Sequence, residues 1–254
     1  MKRTITFLVM FILAALSQQL SAQNLQDLLK TGDKYAEEQF NNQKALETFL
    51  QAEKLSANNW EVCWRLSRTY VDLADHSSGS EQQAKYQQAL DYAEKAVKLA
   101  PDKSVTYIRR AIANGKIALF KGVFSVIGLV NRVKADAEKA ISLGNGGNYV
   151  QAVSHYVLGR THLKVCEKPY LVRLPLGLGW GDMDVSEKEL KKAVDIYPNF
   201  RMFYLELAKA YIENDEYVKA RESLMKLQNS PKANQDDEKY LAESKTLMEK
   251  IKNE

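Results

Sequence analysis

Cysteine, histidine and long apolar runs are scarce in this 254-residue chain. It has two cysteines and three histidines, and its charges are interspersed, 36 basic against 32 acidic, for a formal net charge of +4. Two cysteines exclude a disulfide-dense scaffold. Cys63 and Cys166 fall in different stretches of the repeat described below, with a whole unit between them. Stacked helix pairs lie about 10 Å apart, so we expect two buried thiols rather than a disulfide. No nucleophile motif, paired-carboxylate arrangement or glycine-rich nucleotide fingerprint is present, so catalysis is not expected. The scattered charge gives no ground for nucleic-acid binding.

The N-terminus reads as a leader. Lys2 and Arg3 precede an apolar run from Ile5 to Leu16, and Leu20-Ser21-Ala22 offers a cleavage site. That order is the pattern of a secretory signal peptide, with a predicted cut after Ala22; an uncleaved anchor is the alternative. The run is too short for a comfortable membrane span, so the mature form should lack an integral span. No cysteine follows the run, which speaks against a lipoprotein. Loss of residues 1–22 takes out Lys2 and Arg3 and no acid, so +4 becomes +2. The expected location is periplasmic or secreted.

What the chain does contain is a repeat. Small residues and aromatics recur at spacings that let two antiparallel helices cross closely. The clearest copy runs from Phe203 to Pro231, with Ala208 and Tyr211 on one helix and Ala220, Leu224 and Leu227 on the next. Earlier copies set Gly32 and Tyr35 against Ala45, Phe49 and Ala52; Leu66, Ser67 and Tyr70 against Ala89, Ala93 and Ala96; and Ala111 against Ala140. A fourth sets Leu158, Gly159 and His162 against Leu190 and Ala193. Pro101, Pro198 and Pro231 end units because proline cannot continue a helix. The units span residues 25–57, 59–101, 103–144, 149–198 and 200–231. A capping helix is expected over 236–252, with Asp236, Asp237 and Glu238 suiting its N-terminus. Such units bury their apolar stripes only by stacking, which predicts an all-α, right-handed α-solenoid of about five helix pairs in one domain, residues 23–254.

This spacing resembles the tetratricopeptide repeat. Trp64-Arg65-Leu66-Ser67-Arg68 and Leu158-Gly159-Arg160 resemble the regulators of microtubule dynamics. The stretch from Leu158 through Leu174-Pro175 and Gly179-Trp180-Gly181-Asp182 is similar to bacterial periplasmic repeat proteins, among them the T component of TRAP transporters. Both resemblances imply a non-catalytic helical adaptor that binds a protein or peptide. Two insertions depart from the repeat: a polar one, Asp75–Gln83, and an apolar one, residues 167–184.

In the repeat register, the residues lining the concave groove are Arg68, Ile112, Arg160 and Lys209. One turn before them come Trp64, Ile108, Tyr156 and Leu205; one turn beyond come Lys116 and Lys164. This cationic ladder beside an apolar shelf suits an acidic or C-terminal peptide segment, or a small anionic ligand such as a carboxylate. The alternative is that Arg68 and Arg160 pair with acids of neighbouring units. Trp180, Leu174 and Leu176 in the second insertion read either as a lid over the groove or as residues folded back onto the array. His155, His162 and Cys166 share a helical face, but three ligands on one helix rarely enclose a metal, and neither metal nor cofactor is expected. His76, Asp72 and Asp75 read as a solvated helix end. The apolar stretch Ala118–Val133 reads as buried helix rather than an oligomer or membrane-surface contact.

Overall fold

The computed structural model describes residues 23–122 and 125–254, so the expected leader, residues 1–22, lies outside the described residues. Helix α1 covers 23–37. There follow α2 (Asn42–Leu55), α3 (Trp60–Asp75), α4 (Gly79–Leu99), α5 (Ser104–Lys121) and α6 (Ile127–Leu143). Then come α7 (Gly147–Cys166), the short α8 (Tyr170–Arg173), a 3-10 turn (Leu174–Leu176) and α9 (Met183–Ile196). The chain ends with α10 (Arg201–Glu213), α11 (Tyr217–Asn229) and α12 (Asp237–Lys250). Among the described residues there is no strand.

Local chemistry sets the helix starts. Asn41, Asn59 and Asp182 cap α2, α3 and α9 by accepting from the backbone N–H of Lys44, Glu61 and Val185. Each cap satisfies a donor that the first helical turn leaves unpaired. The helices then stack in sequence, α3 on α4, α4 on α5, α7 on α9 and α10 on α11, with α12 packed on α10 and α11. This is an α-solenoid.

The crossings are held open to close approach by small side chains. Ala45, Ala52, Ala93, Ala111, Ala140, Ala193, Ala208 and Ala220 are all fully buried. Gly32 and Gly159 show why: a Cβ at Gly32 would stand 2.3 Å from Phe49 Cε1, and one at Gly159 would stand 2.8 Å from Leu190 Cγ and 2.9 Å from the Ser186 carbonyl oxygen. The Ser186 hydroxyl uses that proximity to donate to the Gly159 carbonyl at 2.9 Å. One large cluster of buried apolar residues runs from Val105 on α5 to Ile251, with Leu190, Phe203, Leu205 and Leu224 in its interior. Full burial of one such leucine contributes about 2 kcal/mol.

Three expectations are corrected. The polar stretch Asp75–Gln83 is mostly helix: only residues 76–78 connect α3 to α4, and Gly79 onward opens the 21-residue α4. The segment Ala118–Val133 is not one buried helix. It is broken after Lys121, where Gly122 turns at a φ of 87° that favours glycine, and Leu119 and Phe120 are exposed. The concave side is also not an open groove, because the two ends of the array touch. Asn42 Nδ2 donates to Gln235 Oε1 at 2.9 Å, Lys232 Nζ sits 5.9 Å from the Phe40 ring centre, and His76 Nε2 lies 3.7 Å from Asp236.

Candidate functional site

The contact between the two ends turns the concave side into a chamber of about 630 Å³. Its walls come from every part of the array: Glu37 and Phe40 near the start, Arg68 and Asp72 on α3, Arg109 and Ile112 on α5, Tyr156 and Arg160 on α7, and Tyr240 on α12. On α5 the lining residues Arg109, Ile112 and Lys116 are three and four apart, one stripe of a helix.

Of the residues read as groove-lining, the chamber brings together Arg68, Ile112, Lys116, Tyr156, Arg160 and Lys164. Ile108 does not face it; at 1% exposure it belongs to the core, as does Leu205. Trp64 stands outside the lining and serves as a platform for Arg65, Arg68 and Arg109, whose guanidinium carbons lie 4.3, 5.4 and 5.6 Å from its ring centre. Lys209 lines a separate cleft of about 100 Å³ beside Leu163 and Met183, and bonds to Glu206 and Glu243.

Most of the cationic ladder is neutralised within the array. Arg68 binds Glu37 and, at 3.0 Å, Asp33, both on α1. Burial works against its charge, but these two carboxylates outweigh that and hold the guanidinium above its usual range. Arg160 lies 3.4 Å from Glu206 on α10, Lys116 bonds to Asp75, and Lys164 meets Glu167 at 2.5 Å. Glu206, itself 4% exposed, is penalised by burial, yet Arg160 and Lys209 keep its carboxyl below the ordinary range.

Arg109 and Asp72 were not singled out by the sequence as lining residues. The one signal for Arg109 is its spacing of three from Ile112. Asp72 and Asp75 do not belong to a solvated helix end. Asp75 accepts from Tyr86 and Lys116, and Asp72 opens onto the chamber, where burial raises its carboxyl despite the opposing pull of Arg68 and Arg109. Arg109 is held below its usual range, by burial first; Arg68 adds to this while Tyr149 and Asp72 oppose it.

The apolar insertion packs beside the array and away from the chamber. Arg173 is buried and donates to the carbonyls of Leu178, Gly179 and Gly181, which winds the loop around its guanidinium. Leu178 is fully buried against Ala118, Val130 and Val165. Trp180 donates from Nε1 to Asn131 Oδ1 at 2.8 Å and meets His162 edge-on at 5.1 Å. Trp180 is therefore tied to α6 and α7, and Leu174 and Leu176 are half exposed; none of the three lines the chamber. Of the three residues considered for a metal, the two histidines are separately engaged. His155 meets Glu189 at 2.5 Å, His162 accepts from the Asp182 N–H, and Cys166 is a free thiol, as is Cys63. Among the described residues, no helix is long and apolar enough to cross a membrane.

Stacked helix pairs around a lined cavity define a tetratricopeptide-like repeat protein, a class that generally presents surfaces to protein partners rather than performing catalysis. The chain belongs to the family described as Regulator of microtubule dynamics protein 1-3, whose sequence model matches residues 28–252. It is 27% identical over 196 residues to Regulator of microtubule dynamics protein 1 of Mus musculus, covering 74% of this chain and 63% of that protein. The protein of the same name from Bos taurus is 26% identical, covering 74% and 61%. The chain thus spans about three-fifths of the length of these curated relatives. Among solved structures it is similar to a thermophilic tetratricopeptide protein of Thermus thermophilus. The TM-score is 0.63 at 18% identity, with 87% of this chain and 98% of that one covered.

Proposed function

We propose that the protein is a non-catalytic interaction scaffold, exported behind a cleaved leader, whose chamber holds a compact anionic ligand. The observation that carries this reading is the contact of Asn42 with Gln235, which bounds the concave side at about 630 Å³. That is the size of a small-molecule site. Arg109 supplies a guanidinium fork suited to an anion, and Arg68 and Arg160, each paired with acids of the array, line the same walls. The relatives' name attaches regulation of microtubule dynamics to them; for this chain only the scaffold role is taken from that kinship. The repeat fold supports a second reading, in which the anion is the acidic tail or chain end of a protein partner.

Thermal-shift measurements on the purified chain with a panel of small carboxylates test the first reading, since a ligand that binds only the folded state raises the melting temperature. A carboxylate-dependent rise is expected. No rise with any acid, together with retention of a protein on the wild-type chain but not on an Arg68→Ala/Arg160→Ala variant, would replace it with the second. Export is tested by N-terminal sequencing of the mature protein, expected to begin at Gln23.

A further inference from the structure

We infer that the chamber contains a monocarboxylate subsite centred on Arg109, for an acid whose body is an aromatic or other compact apolar group. The inference rests on the chamber reading above and deepens it.

Arg109 differs from the other lining cations. It is 8% exposed, and among the described residues no carboxylate lies within 4.0 Å of it. Its Nε has no hydrogen-bond partner. A buried guanidinium without an anion is costly, and a charge left in that condition inside a cavity marks a function. It is also held in place: Trp64 lies beneath it at 5.6 Å and Tyr149 stands beside it on the chamber wall. Its fork of donors is thus preorganised and short of acceptors.

The surroundings select the ligand's charge. Asp72 opens onto the same chamber, and the carboxylates of Glu37 and Asp75 are close by on Arg68 and Lys116. These acids oppose a doubly charged group such as a phosphate monoester, whereas a single carboxylate matches the one lining guanidinium that lacks a bonded carboxylate. The remaining walls select the body. Ile112, Val133, Val157 and Phe200 are apolar, and Tyr149 meets Tyr197 and Phe200 edge-on at 5.5 and 6.0 Å, an arrangement that takes another ring readily.

The test is calorimetric titration of the full chain with phenylacetate, phenylacetamide and phenyl phosphate. Phenylacetate is expected to bind about tenfold or more tightly than either of the others, the worth of one charge-assisted pair. Arg109→Met is expected to abolish that preference and Arg109→Lys, which keeps the charge but loses the fork, to retain part of it. Lys191→Met, on the exposed outer face, should leave binding unchanged. Equal affinity for acid and amide in wild type, or an undiminished preference in both Arg109 variants, would overturn the subsite while leaving the chamber reading standing. If none of the three probes binds the wild-type chain, the chamber reading falls with it. A tetrapeptide ending in a free phenylalanine carboxylate, against its C-terminal amide, separates the sources. Arg109-dependent peptide binding assigns a partner's chain end to the subsite, and binding of phenylacetate alone assigns a free acid.

Discussion

Asn42 Nδ2 reaches Gln235 Oε1 at 2.9 Å although 193 positions separate the two residues. In an array built from neighbour-on-neighbour contacts, this bond joins the first helix pair to the segment before the last helix. Asn42→Ala removes it. The expected loss is about 1 kcal/mol by chemical denaturation, the net worth of a typical hydrogen bond, with faster amide exchange confined to residues 232–240. Unchanged exchange there would show that other contacts hold the ends together.

The crossing at Gly159 has no room for a methyl group, because the atoms a Cβ would strike include the backbone of Ser186 and Leu190. Gly159→Ala should therefore destabilise the chain by about 1–3 kcal/mol through overpacking. A melting temperature equal to wild type would mean that α7 and α9 part more easily than the packing indicates.

His162 gives a pH dependence. Its pKa lies below the ordinary 6.5, chiefly through burial and then through Lys134, with Asp182 and Glu138 opposing. Below that ordinary value the unfolded chain takes up a proton that the folded chain refuses, so stability falls as pH drops. A single such group contributes a slope of at most about 1.4 kcal/mol per pH unit. His162→Gln, which keeps an acceptor for the Asp182 N–H, should flatten the stability profile just below pH 6.5; an identical slope would contradict the assignment.

Trp180 and Leu171 occupy the same insertion with opposite consequences. Trp180 is bonded to Asn131 and packed on His162, and Leu171 is 82% exposed. Trp180→Ala should cost about 2 kcal/mol or more, and Leu171→Ser should stay within about 0.5 kcal/mol. Equal effects on melting temperature would refute this division of the loop.

The helix pairs were legible because their signal is local. Ala93, Gly159, Ala208 and the prolines that end units each state a crossing or a stop within one hairpin. The chamber was only partly legible. Arg68, Ile112, Lys116, Tyr156 and Arg160 follow the repeat register, but on α5 the wall one turn before Ile112 is Arg109, three residues back, and not Ile108, four back; both spacings lie on one helical face, and the register alone does not choose between them. Asp72 looked like a solvated end because α5, which brings Arg109 and Lys116 near it, lies outside its own hairpin. The Asn42–Gln235 contact has no local signature, since it depends on the accumulated curvature of every intervening pair.

The most direct test of the closed array is the distance between nitroxide labels at Gln43→Cys and Lys232→Cys, in a chain whose Cys63 and Cys166 are replaced by alanine, measured by pulsed electron resonance. The closed chamber predicts one narrow population at short distance. A broad or long-distance population, as in an open spiral, would contradict it.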